Sequence, residues 1–343
     1  MDTLIITGAS GWLGKGLMAR FCSSGIEGYT KITAIVKNEE EEREVKKITT
    51  NTNVQTVICD LSDAIMSERA LTFGSGSHLI HAAGVIHPRK VSDFYHVNVN
   101  GTRNILNAAR VSGVEKITVV SSNSVNGVSR NKNHIFNEES KLAPYMHYGR
   151  SKVQMEELVR QSASNFDQVT TVRAPWFYGP HQPARQTQFF SMIKNGKFPL
   201  FGRADNLRSM VYIENLIDGI LLSLRPRKTN FDTFWIADEK SYSMLEIVQT
   251  VSDVLLEEFN IYVKQNKIFL PEFIPQVAQA ADFTMQSVGL YNQKIHVLSE
   301  MNKTIACDIS KAKELLKYNP KYSLRAGMTN SVAWLLDKNG EIK

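Results

Sequence analysis

Three cysteines in 343 residues, Cys22, Cys59 and Cys307, are too few and too far apart for a disulfide framework or a metal knuckle. Their scarcity suits a reducing compartment, and the cytoplasm is the expected location. No apolar run approaches the ~20 residues that a membrane-spanning helix needs, and a membrane is not an expected partner. The first strand is expected to open at residue 3, and no signal peptide is expected. Internal repeats and low-complexity linkers are absent. Lys and Arg exceed Asp and Glu by 6, but they are scattered and no nucleic-acid signature accompanies them, so nucleic acid is not an expected partner. His78 and His81 lie three apart on a strand, which points them to opposite sides, and the other histidines are dispersed; no metal is expected.

What is present is a globular composition, 43% hydrophobic and 22% charged, on a chain long enough for one large or two medium domains. Its organising stretch is Asp2 to Gly16, DTLIITGASGWLGKG, an apolar strand running through a glycine turn into a helix. Gly8, Gly11 and Gly14 have the spacing in which the first permits a sharp turn and the second leaves room for a pyrophosphate. The third lets helix and strand approach, and the helix N-terminus offers N–H groups to phosphate. Three glycines alone also fit an ordinary strand-turn-helix connection, so the rest of the chain decides.

Further strands are expected at Ile32–Val36, Val54–Cys59, His78–Ala82, Lys116–Val120 and Val169–Arg173, with helices at 98–111 and 145–161. Glu39–Glu42 and the residues after it read as a solvated surface segment. This alternation implies a doubly wound parallel sheet with ligand at the carboxyl ends of its strands. Residues 180–208 read as an excursion from the sheet, and 210–224 as a short strand and helix. Phe231–Ala237 reads as a returning strand. A mainly helical tail comes next, broken at Pro271 and Pro275, with an amphipathic helix at 308–317. The expected division is a dinucleotide-binding Rossmann domain at 1–178 and 209–238, and a smaller, mostly helical substrate domain at 179–208 and 239–343.

Tyr148-Gly149-Arg150-Ser151-Lys152 sets a phenol and an ammonium four residues apart, on one helix face. A phenol titrates near ~10, and a neighbouring ammonium favours phenolate, bringing it toward use as a base. Taken alone the pair also fits a surface helix. Ser121-Ser122-Asn123-Ser124 comes just after the fifth strand, where a hydroxyl can meet a substrate carbinol or simply form a polar turn.

In this order the motifs resemble those of the extended short-chain dehydrogenase/reductases, the superfamily of nucleotide-sugar epimerases, dehydratases and 3β-hydroxysteroid dehydrogenases. TGASGWLG is similar to its cofactor turn, CDL and HAAG to strand ends beside the cofactor, and NVNGTRNIL to its central helix. VVSSNSVNG is similar to the serine segment and YGRSK to the catalytic helix; RAPWFYGP, RSMVYIENLIDG and DISKAKELLKYNPKYSLRAGM extend the likeness over nearly the whole chain. The resemblance implies Tyr148 as general acid/base, Lys152 lowering its pKa and holding the nicotinamide ribose, and Ser122 as the catalytic serine. It implies cofactor contacts at Gly8, Ser10, Gly11, Trp12, Leu13, Gly14, Lys37, Asp60, Leu61, Ala82, Ala83, Gly84, Asn98 and Pro175, besides Tyr148 and Lys152. Ser124 and Arg208 are implied as substrate contacts, and a homodimer through helices 98–111 and 145–161 as the assembly.

Three departures refine this. The second strand ends Val36-Lys37-Asn38, without the carboxylate that binds ribose hydroxyls in NAD-preferring members, and a lysine there favours NADP(H). Ser-Asn-Ser replaces the Thr-Asp-Glu of sugar dehydratases, so the acid/base pair for water elimination is missing; Asn126 replaces a common tyrosine. Between Arg173 and Met210 stand Arg173, Arg185, Lys194, Lys197, Arg203 and Arg208 against one acid, Asp205, which suits an anionic substrate. The expected activity is NAD(P)-dependent epimerisation or keto reduction at C4 of a nucleotide-diphosphate sugar. Alternatives are a hydroxysteroid- or dihydroflavonol-type carbonyl reductase, with the apolar residues of 269–288 lining its pocket or filling a core, and a non-catalytic dinucleotide sensor.

Overall fold

A computed structural model describes residues 3–50, 53–71, 76–129 and 131–342. Asp2, the first residue of the organising stretch, and both chain ends lie outside the described residues. The packing separates two compact units, Met1–Val125 with Pro144–Arg173 and Gly219–Phe234, and Asn126–Ala143 with Ala174–Asp218 and Trp235–Lys343.

The first unit is built on a seven-stranded parallel sheet. In chain order the strands are β1 (Thr3–Thr7), β2 (Lys31–Val36), β3 (Val54–Ile58), β4 (His78–His81), β5 (Lys116–Ser122), β6 (Gln168–Ala174) and β7 (Phe231–Trp235). Their spatial order is β7-β6-β5-β4-β1-β2-β3. Leu4, Ile6, Ile32, Ala34, Leu79, Ile80, Ile117 and Val119 are all buried, as strands covered on both faces require. The order reverses at β1 and β4, so the crevice beyond their carboxyl ends is where such a sheet takes its ligand. The glycine turn after β1 and Ala82-Ala83-Gly84 after β4 both fall there.

Helix α1 (Trp12–Ser24) succeeds the glycine turn, α2 (Glu39–Lys46) succeeds β2 and α3 (Ala64–Ala70) succeeds β3. Glu39–Glu42, expected to be a plain solvated segment, opens α2: Asn38 caps it by accepting from the Glu41 N–H, and four acids occupy its positive end. The helix expected to begin at residue 98 begins earlier. Here α4 comprises Val91–Phe94, a π-helical stretch Tyr95–Gly101, and Thr102–Val111. Apolar periodicity does not register a widened turn, because that turn shifts the phase of everything before it. Helix α5 (Met146–Ser162) carries the Tyr/Lys pair.

In the second unit Trp176–Tyr178 pairs in parallel with Met210–Tyr212, and α6 (Ala184–Lys194) lies between them in sequence. Residues 126–143, expected with the nucleotide domain, pack here instead. Ser129 and Phe136 donate their N–H groups to the Thr304 and Ala306 carbonyls at 2.9 and 2.8 Å. Pro275 does not break the tail. It stands in the first turn of α7 (Ile274–Ser287), where its missing N–H has no intrahelical partner to lose. After that helix comes α8 (Gln293–Glu300). The amphipathic helix expected at 308–317 spans 310–316, its second part Ala312–Leu316 π-helical, and is ended by Lys317 in the left-handed region.

Candidate active site

Gly8 sits at φ +68°, and a Cβ there would lie 2.7 Å from the Cα of Ala83, so both conformation and space demand glycine. A Cβ on Gly14 would lie 2.2 Å from the Gly8 carbonyl oxygen, which is why α1 can start directly above the strand end. Gly11, exposed, is the N-cap of α1 and places no side chain over the helix N-terminus. Ser10 and Trp12 are half-buried beside it, while Leu13 packs into the core. The result is a bare backbone cradle of the kind a dinucleotide pyrophosphate fits.

At the next strand ends, Lys37 and Asp60 meet with 3.4 Å between ammonium and carboxylate, the lysine exposed and the carboxylate half-buried. Glu41 accepts the Lys37 N–H at 2.8 Å. Leu61 is buried and its carbonyl accepts from Asn104. Ala82, Ala83 and Gly84 lie open to half-open at the end of β4. Pro175 is buried in the second unit.

A network with no signature in the sequence fixes this edge of the sheet. His81 is fully enclosed, with Nδ1 2.7 Å from the Thr7 hydroxyl on β1 and Nε2 2.9 Å from the Thr102 hydroxyl on α4. Thr7 in turn accepts the Ala83 N–H, and Thr102 donates to the Asn98 carbonyl. Burial pushes the His81 pKa down to about 3, the Lys152 charge adding to it, so the ring is neutral and serves as a spacer between hydroxyls. The one signal available was a histidine inside an apolar strand; it argued for a core group and gave no partner.

Asn98, on the π-helical stretch, is 1% exposed. It grips the Val85 backbone from both sides, accepting its N–H at 2.8 Å and donating to its carbonyl at 3.1 Å. Its amide nitrogen also reaches Ser151 Oγ at 3.1 Å. Asn98 thus joins the end of β4 to the turn of α5 between Tyr148 and Lys152.

That turn presses closely against the serine segment. A Cβ on Gly149 would stand 2.5 Å from the Ser124 carbonyl oxygen, and the Tyr145 N–H donates to that same oxygen at 3.1 Å. Ser122 and α5 are therefore held together through Ser124. The Ser122 hydroxyl donates to Asn123 and accepts the Ser124 N–H. The Ser124 hydroxyl is buried with no hydrogen-bond partner among the described residues. Tyr148 is half-buried, its ring 5.7 Å from that of Phe94 on α4.

Lys152 is 5% exposed. Its ammonium donates to the Val120 carbonyl at 2.9 Å and approaches Met155 Sδ at 3.3 Å. Burial lowers its pKa to about 8, the nearby Glu156 carboxylate opposing the shift. Glu156 is itself committed to Arg173 by two hydrogen bonds, 3.1 and 2.8 Å, in a buried pair. Arg173 therefore leaves the set of basic residues expected to face an anionic substrate, because its charge is neutralised inside the first unit. Asn126 likewise is structural, donating to the Ser140 and Lys141 carbonyls. In the second unit Arg208 is buried and donates to the Glu300 carbonyl.

The sequence matches the NAD dependent epimerase/dehydratase family over residues 4–237. The chain belongs to that family. A relative in Sinorhizobium fredii, the uncharacterized protein y4nL, is 44% identical, the match covering 98% of this chain and 96% of the relative. The N-acetyl-alpha-D-glucosaminyl-diphospho-ditrans,octacis-undecaprenol 4-epimerase of Escherichia coli is 27% identical over 74% of this chain and 72% of its own. The decarboxylating sterol-4-alpha-carboxylate 3-dehydrogenase of Saccharomyces cerevisiae is 24% identical, with 98% of both chains covered. Among solved structures, UDP-glucuronic acid 4-epimerase from Bacillus cereus in complex with NAD superposes with a TM-score of 0.74 at 20% identity, covering 98% of this chain and 99% of that one. As an epimerase/dehydratase family member the protein has the Rossmann core of that fold, and the glycine cradle and the Asn98 brace stand at the carboxyl edge of its sheet. No helix among the described residues is long and apolar enough to cross a membrane, and no group of three or more His, Cys, Asp or Glu residues among them could hold a metal ion.

Proposed function

We propose that the protein epimerises or reduces at C4 of a nucleotide-diphosphate sugar, with Tyr148 as the proton-transferring group, Ser122 as its hydrogen-bonding companion and Lys152 as the cation that tunes it. One observation carries this reading: a lysine 95% buried, one turn along α5 from a tyrosine, its nearby carboxylate, Glu156, being committed to Arg173. An ammonium kept out of water and only partly compensated is costly unless its field is used. With a phenol one turn away on the same helix, its charge favours the phenolate that can take a carbinol proton.

A nicotinamide dinucleotide, bound along the glycine cradle, supplies the hydride acceptor or donor. The chain's own part is to hold Tyr148, Ser122 and Lys152 in fixed relation, through Gly149 against Ser124 and Asn98 against Ser151, and to move the proton at Tyr148 Oη. The absence of a carboxylate at Lys37 supports NADP(H) over NAD(H). Ser124, with its unmatched hydroxyl, and Arg208 are the proposed substrate contacts. A cytoplasmic homodimer completes the reading.

A second reading, carbonyl reduction of an apolar ring alcohol, is favoured by the sterol dehydrogenase relative, which aligns over 98% of both chains. Turnover of UDP- and GDP-sugars is to be compared with that of cyclic alcohols and ketones, in wild type and Tyr148→Phe. Sugar turnover lost in the variant, with nucleotide binding intact, supports the proposal. Turnover confined to uncharged ketones sinks it in favour of the second reading, and an unchanged rate in Tyr148→Phe removes the mechanism.

A further inference from the structure

Helix α7 wears its amphipathicity inside out. Its buried positions include Asp282 and Gln286, whereas Val277 and Phe283 on the helix and Phe273 at its N-cap are 62%, 58% and 63% exposed. The inversion is held in place from within. His296 Nδ1 of α8 lies 2.7 Å from Asp282 Oδ2, Gln286 donates to Asp282 Oδ1 at 2.9 Å, and the Tyr291 ring lies 5.3 Å from His296. A polar lock between α7 and α8 thus turns the apolar residues outward. Of seventeen large hydrophobic residues exposed among the described residues, nine fall between Tyr262 and Val297. Single exposed apolar residues are ordinary, but a concentration of this kind marks a surface that meets something apolar. Phe269 and Val288 too are exposed, so only part of the 269–288 stretch, Pro275 and Ala278 among its apolar residues, is buried as a core would require.

Between α7 and α8 lies a groove of about 280 Å³ lined only by apolar side chains, among them Phe273, Val277, Ala281, Ile295 and Leu298. The solvent-reached charges from residue 262 to the end of α8 are Lys264, Lys267 and Lys294 against Glu272 and the half-buried Glu300. An apolar face with an excess of lysines over carboxylates complements an anionic bilayer, apolar groups entering the acyl boundary and ammonium groups meeting the headgroups. A second copy of the chain fits less well, because a two-fold contact through this face would bring the same lysines together.

We propose that the 262–297 face docks the protein peripherally on anionic lipid membranes, lying in the interface without spanning it. The proposal is independent of the catalytic reading, since docking needs neither cofactor nor turnover.

The test is co-sedimentation of the full chain with vesicles of phosphatidylglycerol and phosphatidylcholine, against phosphatidylcholine alone, at low and high salt. Wild type is expected to sediment with the anionic vesicles and to be released by salt. Phe273→Ser combined with Val277→Ser should weaken that binding about tenfold or more, and Lys267→Glu with Lys294→Glu should remove the preference for anionic lipid. Melting temperature and nucleotide binding report whether each variant is folded. Phe283→Ser, at a solvated position, provides a second variant, also expected to weaken sedimentation. No sedimentation at low salt, equal binding to both vesicle types, or full binding by the folded apolar variants each overturns the proposal. So does light scattering that shows a dimer which Phe273→Ser with Val277→Ser splits.

Discussion

Replacing Lys152 by methionine separates stability from activity. In the folded chain burial brings the ammonium to about 8 from the ordinary 10.5. At neutral pH the folded state therefore carries a charge that it would rather shed, at a cost of about 3 kcal/mol from the size of that shift. The sign comes from proton counting. Between pH 8 and 10.5 the unfolded chain binds this proton and the folded chain does not, so the lysine's contribution to stability rises with pH through that window. Methionine has no such term, but it gives up the hydrogen bond to the Val120 carbonyl, worth about 1–2 kcal/mol. Lys152→Met should therefore be more stable than wild type at pH 7, by about 1–2 kcal/mol, and slightly less stable above pH 10.5. The change between those two pH values, about 3 kcal/mol, is the firmer quantity because the hydrogen-bond loss cancels in it. Urea unfolding of nucleotide-free protein, followed by a probe in the sheet unit at pH 7, 9 and 10.5, measures it. Hydride transfer in the same variant should be lost. A stability difference that does not vary with pH would falsify the claim that this ammonium is held against desolvation, and with it the argument for phenolate at Tyr148.

Gly149→Ala should destabilise the sheet unit by about 1–3 kcal/mol and depress kcat, because the new methyl meets the Ser124 carbonyl oxygen; denaturant melts and steady-state kinetics read both. His81 stays neutral down to about pH 3, whereas an unfolded histidine protonates near 6.5, so it contributes to stability lost as pH falls through that range. His81→Gln should flatten that slope in acid titrations followed by circular dichroism. Ser124→Ala should leave the melting temperature near that of wild type, since its hydroxyl has no partner to lose among the described residues, yet lower kcat/KM; unchanged kinetics would free Ser124 from the substrate. Lys37→Ala should weaken NADPH binding about tenfold and NADH binding little, measured by fluorescence titration; equal losses would count against a 2′-phosphate site.

The parts legible in the sequence were those where one residue type meets one steric demand. Gly8 and Gly14 announced a close backbone approach, and the 2.7 and 2.2 Å that a methyl at either position would leave to its nearest backbone atom make the demand plain. The parallel sheet and the Tyr148/Lys152 face came from alternation and spacing. What stayed hidden depends on partners distant in the chain. Thr7, His81 and Thr102 form one network across 95 positions of sequence, and no local pattern joins them. Arg173 read as a free cation because Glu156, on another element, was not recognisable as its partner. The face at 262–297 was misjudged for a related reason. Apolar residues at helical spacing look like core, and only the buried Asp282–His296 contact reveals which side of α7 faces inward.

The widened turn at 95–101 makes the site sensitive to length as well as to chemistry. A π turn accommodates one more residue than an α turn, and here the surplus lies in the stretch that carries Asn98. Deleting a single residue between Asn98 and Thr102 would let the helix relax to ordinary pitch, and Asn98 would no longer stand on a widened turn. Every side chain of the site would survive such a deletion, and the sheet beneath would still fold. The brace between Val85 and Ser151 would nonetheless be disturbed, so the length of this helix bears on the proposed site as its side chains do.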